Sequence, residues 1–413
     1  MNQRAEASEP SRRAEHTFHG NSRATRHGWL RLTPAYSVRL VAQLLSSGTQ
    51  APVLDPFCGT GTTLLSCAEQ GLDCDSVDIN PFLIWLARAK VANYSPAQLA
   101  EARLGLLGMQ RAARSRRRQA PWVPPMHQVE KWWNRPTLGA LGRSWEALER
   151  TAATQSVAAT NLLKIAFCQV SIATSQASFG HQSMSLSRAS AEADNDASAE
   201  RVAEGLGEAL ERSSRAAAVA LPSTKRRLLR VDARRLHERL PEGHYASVIT
   251  SPPYANRMSY IRELRPYMYW LGYLRDRKQA GVLDWRAIGG TWGSATSNLT
   301  SWKPDPRLPG AERDLEQRLT AISERSPLLS NYVRKYFEDM SDHVASLARV
   351  LRPGGKVFYV IGNSKFYDVV VPVHELLARQ FERAGFRRAN IETLRKRSSK
   401  KELFEYLVSA ERR

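Results

Sequence analysis

The sequence predicts an α/β fold, a doubly wound and mostly parallel sheet of the Rossmann type with a C-terminal antiparallel strand. Short apolar strands alternate with helix-like stretches from residue 34 to 93 and again from residue 228 onward. Two of these strands run directly into turns rich in Gly or Pro. Such alternation is typical of parallel sheets, because each parallel strand needs a crossover connection. With 42% hydrophobic and 24% charged residues, the composition excludes disorder over the whole chain.

The first elements follow one another closely. Apolar residues recur at helical spacing over 34–47, with Thr33 as the predicted cap and Pro34 as the first helical residue. A strand at 52–55 enters a Gly-rich turn and a helix from 62 to 70. A second strand at 74–78 ends in an acid, and a helix opened by Asn80-Pro81 runs to about residue 93.

The alternation is then interrupted twice. Residues 95–222 contain helix-like stretches, including 136–153 and 158–173, but no convincing strand. Within them, 178–200 is rich in Ser, Ala, Asp and Asn and predicts a mobile loop. The second interruption, 277–326, is rich in Trp, Gly and Pro and predicts an irregular loop.

The remaining elements restore the α/β pattern. They are predicted in chain order as strands at 228–232 and 245–250, a helix at 259–274, a strand at 356–361, a helix at 372–384 and a closing strand pair at 386–393 and 403–409. The predicted organisation is one core, 17–94 and 223–413, with a helical insertion at 95–222 and a loop at 277–326. The polar segment 1–16 is expected to be disordered.

Charge indicates the class of partner. The chain has 60 Lys and Arg against 40 Asp and Glu, a net charge of +20, which favours a polyanion such as nucleic acid. The alternative is an Arg-rich surface that reflects genome composition. No run of about 18 apolar residues predicts a membrane span, the start lacks an apolar signal core, and a cytoplasmic protein is expected. Four cysteines without CxxC spacing predict neither disulfides nor a metal site.

The sharpest local motif is DPFCGTGT at 55–62, directly after a strand. Its glycines allow a sharp turn and a close approach of a ligand to the backbone. No GxxxxGK[ST] string surrounds it, which disfavours a nucleoside triphosphate loop. Asp78 follows at the distance where an acid usually binds ribose hydroxyls, so an adenosine-like ligand is predicted. The alternative role for Asp78 is a simple helix cap.

The second motif is TSPPY at 250–254, again beyond a strand. Two prolines fix the backbone, remove two N–H donors and leave carbonyl groups as acceptors. Tyr254 offers an aromatic face on which a planar base could stack. The alternative is a rigid turn that only ends the strand.

Together DPFCGTGTT, VDIN and TSPPY resemble the S-adenosylmethionine-dependent amino-methyltransferases of DNA, which methylate exocyclic amines. The resemblance covers roughly 29–94, 226–275 and 351–364, and it does not cover 95–222 or 277–326. It implies a cofactor site formed by Thr33, Pro34, Tyr36, Asp55, Phe57, Gly59, Gly61, Asp78 and Asp232. It also implies direct transfer to a flipped base held by Ser251, Pro252, Pro253 and Tyr254.

The first residue of the tetrad bears on the target base. Ser251 favours the N4 amine of cytosine, whereas Asp or Asn there would point to adenine N6, which is kept as the alternative. RNA amino-methylation and a non-catalytic nucleic-acid-binding protein are further alternatives. Methylation of ring carbon five would need a nucleophilic cysteine where Ser251 stands, and Cys58 is interpreted as a small buried residue.

Double-stranded DNA is therefore the expected partner. Candidate contacts are Arg257, Arg262 and Arg265 after the tetrad, and Arg116 and Arg117 in an arginine cluster of the insertion near Trp132 and Trp133. A solvated helix face is the alternative for that cluster. The loop at 277–326 is the second candidate for DNA recognition, and a lid that packs on the core is its alternative. The implied setting is prokaryotic restriction-modification or phage defence, and any restriction endonuclease would be a separate protein.

Overall fold

The protein is described by a computed structural model over residues 21, 25–30, 36–116, 119–178, 185–186, 194–256, 258–304, 313–397 and 402–413. Its strands in chain order are β1 (Val53–Asp55), β2 (Cys74–Asp78), β3 (Ala177–Ser178), β4 (Ser185–Leu186), β5 (Arg226–Arg230), β6 (Tyr245–Thr250), β7 (Leu351–Gly362), β8 (Ser364–Phe366), β9 (Val369–Val371), β10 (Phe386–Lys396) and β11 (Phe404–Arg412).

The helices lie between these strands and carry the interruptions. They are α1 (Val38–Ser46), α2 (Thr62–Glu69), α3 (Pro81–Val91), α4 (Pro96–Ala113), α5 (Arg135–Ala152), α6 (Val157–Ala173), α7 (Asn195–Ala217), α8 (Tyr260–Trp270), α9 (Arg277–Arg286), α10 (Ser294–Ser301), α11 (Arg313–Ser323), α12 (Pro327–Val350) and α13 (Val373–Arg383). Among the described helices, none is both long and apolar enough to cross a bilayer.

The central sheet has seven strands in the order β10-β11-β7-β6-β1-β2-β5. The five strands from β7 to β5 are parallel, and β11 is antiparallel to both β7 and β10. The predicted fold class is therefore confirmed. All residues of β1 and β6 are buried, as expected for central strands covered by helices on both faces. The carboxyl ends of the parallel strands meet at one edge, and both sequence motifs begin there.

The insertion shares a core with the α/β domain. Helices α4 to α7 pack on one another and on α3 and α8 around one buried cluster. Trp132 and Trp133 are 2% and 0% exposed within this cluster, so these residues serve packing. Trp270 of α8 contacts Trp133 edge-on, with ring centroids 5.8 Å apart.

Three local predictions differ from the structure. The loop expected at 178–200 ends earlier, because α7 begins at Asn195 and Asp194 accepts the Asp196 amide; its residues 179–184 and 187–193 lie outside the described residues. The two-residue pair β3–β4 was also missed. In the described part of 277–326 the chain forms the helices α9 to α11, and a turn that contains Gly289, Gly290 and Gly293 separates α9 from α10.

The start of α1 is a further correction. The helix begins at Val38, because the Ser37 hydroxyl accepts the Leu40 amide and caps the helix there. The predicted cap and first residue, Thr33 and Pro34, lie outside the described residues, as does the segment 1–16.

Candidate functional site

Asp55 is the most constrained residue of the first motif. It ends β1, is 1% exposed, and accepts the Phe57 amide at 3.1 Å and the Thr250 hydroxyl at 2.6 Å through Oδ1. Among the described residues, no hydrogen-bond partner lies within bonding distance of the other oxygen, Oδ2, which is buried, although the nearby Thr63 hydroxyl also acts to lower the Asp55 pKa. Burial raises the pKa of Asp55 to about 6. Within the part of the chain that the structure describes, the loop therefore presents a buried carboxylate oxygen that a bound donor or ion would satisfy.

The two glycines of this loop adopt left-handed backbone angles. Gly59 has φ +50° and Gly61 has φ +78°, a region that costs other residues energy. A Cβ atom on Gly61 would also lie 3.0 Å from the Cβ of Ala87 in α3. Glycine at position 61 thus lets α2 begin close against α3.

Asp78 joins the end of β2 to the first motif. Its Oδ2 accepts the Gly59 amide at 2.9 Å and its Oδ1 accepts the Asn80 amide at 2.8 Å. Burial raises its pKa to about 6, although these backbone donors oppose the shift. The cap of α3 is Asn80, whose side chain accepts the Phe82 amide at 3.0 Å. Asp78 therefore ties the loop to the sheet rather than capping the helix.

Lys90 of α3 supports the loop, and this role was not predicted from the sequence. It is 1% exposed, and its Nζ donates to the carbonyls of Thr60 at 3.0 Å and His27 at 3.2 Å. Burial lowers its pKa to about 7. Nothing in the sequence distinguishes Lys90 from a surface lysine on a helix.

Tyr36 reaches the same region from the start of the described chain. Its hydroxyl bonds Thr63 of α2, and Thr63 donates to the Ile249 carbonyl of β6 at 3.1 Å. Burial raises the pKa of Tyr36, and the nearby Asp55 charge adds to the effect. The structure thus places Tyr36 beside the first motif.

Phe57 and Asp232 lie against α12. The Phe57 ring meets His343 edge-on at 4.7 Å between centroids, and His343 also contacts the Ala233 carbonyl at 2.9 Å. Asp232 is held by Arg234, with 2.7 Å between Nη2 and Oδ2. Burial alone would raise the pKa of Asp232, but the Arg234 interactions outweigh it and lower the pKa. A ligand amine would have to share this carboxylate with Arg234.

The second motif begins where β6 ends. The Thr250 hydroxyl donates to Asp55, so one hydrogen bond joins the two motifs at the sheet edge. The tetrad backbone is held from outside, because the Pro253 carbonyl accepts the Tyr336 hydroxyl at 2.8 Å. The Tyr254 amide donates to the Tyr260 hydroxyl at 3.2 Å. Pro252 is buried and Ser251 is partly exposed.

The Tyr254 side chain is enclosed by the β10–β11 hairpin. Its hydroxyl donates to Glu405 at 2.9 Å, and the Arg397 guanidinium lies 5.4 Å from the ring centroid. A Cβ atom on Gly362 would lie 3.0 Å from Tyr254 Cε2, so β7 needs glycine beside the ring. Burial, then the Glu405 charge, raise the Tyr254 pKa, while the Ser251 hydroxyl opposes the shift. Neither Glu405 nor Arg397 was predicted.

The segment after the tetrad is braced by α9. Ser259 caps α8 by accepting the Arg262 amide at 3.0 Å and donates to Asp284 at 2.5 Å. Asp284 is 1% exposed and also accepts the Trp292 amide at 2.6 Å. Burial raises the Asp284 pKa. Within the region predicted to be an irregular loop, α9 therefore supports the segment that follows the tetrad.

The predicted DNA-contacting arginines differ in exposure. Arg262 is exposed on α8, whereas the Arg265 guanidinium lies between Trp132 at 4.9 Å and Trp292 at 5.5 Å, and burial lowers its pKa to about 10. The Arg116 side chain is 83% exposed and pairs with Asp196 at 2.5 Å. The other two, Arg257 and Arg117, lie outside the described residues.

Comparisons with known proteins find similarity to DNA methyltransferases. A family model for D12 class N6 adenine-specific DNA methyltransferases matches residues 38–116. The Type II methyltransferase M.AvaI of a Nostoc species is 23% identical over 403 residues, covering 90% of this chain and 81% of that protein. M.BsoBI of Geobacillus stearothermophilus, also a Type II methyltransferase, is 25% identical over 178 residues, covering 38% of this chain and 35% of that protein.

A shorter match has higher identity. The Type II methyltransferase M.MjaII of Methanocaldococcus jannaschii is 38% identical over 55 residues, which is 13% of this chain and 10% of that protein. The relatives and the family model agree on one class of enzyme, and together they support the DNA methyltransferase family for this chain.

Proposed function

We propose that the protein transfers a methyl group from S-adenosylmethionine to the exocyclic N4 amine of a cytosine in DNA. The observation that carries the proposal is the hydrogen bond between Thr250 and Asp55. It joins the TSPPY tetrad to the DPFCGTG loop at the carboxyl edge of a parallel sheet, where ligands of this fold class bind. A base held at the tetrad would then lie beside a cofactor held at the loop.

The residues present fit the cofactor. Asp55 Oδ2 is a buried carboxylate oxygen to which no described residue donates, which suits the ammonium group of the methionine moiety. The Asp78 carboxylate accepts one backbone amide on each oxygen and keeps lone pairs for ribose hydroxyls. Tyr36, Phe57 and the two left-handed glycines would line the same site. The cofactor supplies an electrophilic methyl group on a sulfonium.

The tetrad would prepare the amine. An exocyclic amine conjugated to the ring is a weak nucleophile, because its lone pair is delocalised. Ser251 Oγ and the Pro252 carbonyl would accept hydrogen bonds from the two N–H groups of the amine. These bonds would draw the nitrogen toward tetrahedral geometry. Tyr254 would stack on the flipped base. Catalysis would then be chiefly positioning for in-line attack, without a covalent enzyme intermediate.

Cysteine chemistry does not compete for this site. Cys58 is buried at 3% exposure, and burial raises the pKa of its thiol well above the usual value. Such a thiol is not the thiolate that attack on a pyrimidine ring carbon requires.

Adenine N6 is the second candidate for the target. The description of the matching family model favours it. That match covers residues 38–116, which include the loop and Asp78, and it stops before the tetrad that would touch the base. Ser251 as the first tetrad residue therefore remains the reason to place cytosine first.

The proposed biological setting is site-specific modification. The relatives named above are Type II methyltransferases, and a separate restriction endonuclease would be the expected partner of such an enzyme. The exposed arginines Arg262 and Arg116 would add phosphate contacts on double-stranded DNA.

Nucleoside mass spectrometry tests the proposal directly. Purified protein, unmethylated DNA and S-adenosylmethionine are incubated, and the DNA is digested to nucleosides. N4-methyldeoxycytidine is the expected product. N6-methyldeoxyadenosine would overturn the assignment of the base and keep the reaction. Neither product, with cofactor binding intact, would reject DNA methylation and lead to the same assay on RNA.

A further inference from the structure

Arg397 follows β10 and lies against the ring of Tyr254. Its guanidinium carbon is 5.4 Å from the centroid of that ring, and its Nη1 donates to the Asn363 carbonyl at 3.2 Å. A Cβ atom on Gly362 would lie 2.8 Å from this Nη1 and 3.0 Å from Tyr254 Cε2. The glycine at the end of β7 thus leaves space for both side chains beside the tetrad.

Asn363 holds this part of the hairpin against the sheet. It is 4% exposed, its Nδ2 donates to the Glu402 carbonyl at 2.7 Å, and its Oδ1 accepts the Phe404 amide at 2.8 Å. The Arg397 amide also donates to the Leu403 carbonyl at 2.7 Å. The backbone that carries Arg397 is therefore tied to the carboxyl end of β7, and the guanidinium has a defined position.

The Arg397 guanidinium is short of acceptors. It is partly buried and carries five N–H donors, but among the described residues only the Asn363 carbonyl accepts a hydrogen bond from it. No carboxylate in the described part of the chain pairs with it, whereas Arg395, on the same hairpin, contacts both oxygens of Glu405. A half-buried cation with unfilled donors would be satisfied by a bound anion.

The position in the sheet indicates the source of that anion. In the order β11-β7-β6-β1, the hairpin and the Gly-rich loop 55–62 lie on opposite sides of β6. Because β7 and β1 are two strand spacings apart, about 10 Å, the carboxylate of a cofactor held at the loop would lie on the far side of the tetrad. The anion at Arg397 would therefore come from the substrate. A base that stacks on Tyr254 is joined through its sugar to two DNA phosphates, and a guanidinium on the same ring is close to them.

We infer that Arg397 binds a backbone phosphate next to the flipped target nucleotide and so holds that nucleotide at the tetrad. The inference rests on the proposed function, and it names the residue that recognises the target strand at this site. The planar donors of a guanidinium match two phosphate oxygens, and such contacts position a protein on DNA without reading its sequence. Arg397 would therefore act in the same way on a target cytosine or a target adenine.

The substitution Arg397→Met tests the contact, because it keeps an unbranched side chain beside Tyr254 and removes the charge. Fluorescence anisotropy measures DNA binding at several salt concentrations, without turnover. We expect the Kd for DNA to rise about tenfold at low salt, as for the loss of a charge-assisted hydrogen bond. The slope of log K against log salt should become shallower by about 1, and an unchanged slope would reject the inference. The Kd for S-adenosylmethionine should stay within about twofold, and a larger change would assign Arg397 to the cofactor instead.

Arg387→Met is the matched control, since it removes the same charge from the same hairpin. Arg387 pairs with Glu411, which lies opposite Lys356 of β7. At roughly 3.3 Å per residue, Lys356 is about 20 Å along the strand from Gly362. The control should keep the wild-type slope. An equal loss of slope in both Met variants would show a general effect of net charge and reject the inference.

A neutral phosphate locates the contact. Once the modified base has been mapped, duplexes are prepared with one methylphosphonate linkage either 5′ or 3′ to it. The wild type should lose about tenfold in affinity at one of the two linkages, as for a charge-assisted hydrogen bond, and Arg397→Met should lose nothing further there. Additive losses at both linkages would reject the inference.

Arg397→Lys is the second variant, and it serves where the Met variant does not fold. It keeps the charge without the planar donors, so its loss at the same linkage should be smaller than that of the wild type. A loss equal to that of the wild type would contradict a contact through the guanidinium. The proposed function fails if the wild type modifies no base in DNA. The inference alone fails if the wild type modifies DNA and Arg397→Met keeps the wild-type slope.

Discussion

The glycine loop of residues 55–62 and the tetrad of residues 251–254 lie at the same sheet edge but are supported differently. The loop, 55–62, is held at Gly59 by Asp78 and at Thr60 by Lys90, both within 30 residues, and the bond from Thr250 to Asp55 is its long-range link. The tetrad, 251–254, is held by side chains from α8, α12 and the terminal hairpin, up to 151 residues away.

That difference has a chemical consequence. In the proposed function, the loop would bind the cofactor through backbone geometry, left-handed glycines and two buried carboxylates, which one contiguous stretch can provide. The tetrad would need a side-chain oxygen aimed within a hydrogen-bond length of an amine. Such precision requires supports on several sides, and in this protein α8, α12 and the hairpin provide them.

The largest expected effect is a loss of turnover, and it comes from a substitution in the tetrad that leaves the loop intact. Ser251→Ala should lower kcat roughly a hundredfold or more, because the amine loses the acceptor that orients it. Cofactor affinity should be unchanged, since Ser251 lies outside the loop. Single-turnover methylation and calorimetry measure the two quantities. Ser46→Ala, an exposed serine on α1, is the control, and a Ser251→Ala enzyme with near-normal turnover would contradict the catalytic assignment.

Asp55→Asn should produce the opposite pattern. The amide keeps an oxygen for Thr250 and Phe57 but replaces the unpartnered Oδ2 with a donor. Losing a charge-assisted hydrogen bond costs about 1.5–3 kcal/mol, so the Kd for S-adenosylmethionine should rise roughly tenfold to a hundredfold. Asp73→Asn, at the other end of β2, is the control in the same calorimetric titration. An unchanged Kd would remove Asp55 from the cofactor site.

Lowering the pH should weaken cofactor binding before it affects the fold. Burial raises the pKa values of Asp55 and Asp78 to about 6, so cofactor affinity should fall as the pH drops from 7 to 5. Because folding raises these pKa values, the two carboxyls destabilise the fold above about pH 6, and protonation relieves that cost. Affinity measured by calorimetry should therefore decline while the folded fraction, followed by circular dichroism, stays constant.

The Asp55→Asn variant sharpens the pH experiment. It should show a smaller pH dependence than the wild type, since only Asp78 still titrates near pH 6. A full dependence in this variant would assign the whole effect to Asp78.

The smallest effect concerns the backbone of the loop. Gly61→Ala should lower the free energy of unfolding by about 1–2 kcal/mol, because alanine is strained at φ +78° and its Cβ would meet Ala87. Gly108→Ala, on the exposed face of α4 with nothing within 4 Å, should instead stabilise by about 0.5–1 kcal/mol. Urea denaturation measures both, and equal effects would show that the loop geometry is not strained.

Much of the α/β core was predictable because its signals are local. The strand signals placed β1, β2 and β6 within one residue of their observed bounds, whereas β7 begins at Leu351 and not at the predicted residue 356. The two motifs were recognisable because proline restricts the backbone while glycine reaches left-handed angles that other residues avoid, and because their positions after strands imply one sheet edge. The prediction failed for 277–326, where Gly and Trp suggested a loop while capping by Asp276 and burial of Asp284 stabilise helices.

The sequence by itself determined the fold class, the order of the two motifs and the residues that carry the proposed chemistry. The tertiary structure decided which side chains hold those residues in place. Glu405, itself paired with Arg395, bonds Tyr254, Lys90 bonds the loop at Thr60, and Asp284 bonds Ser259. It also showed that Trp132 and Trp133 serve the core of the insertion. The physical reason is that a turn depends on its own few residues, whereas a hydrogen bond between strands depends on the whole path of the chain between them.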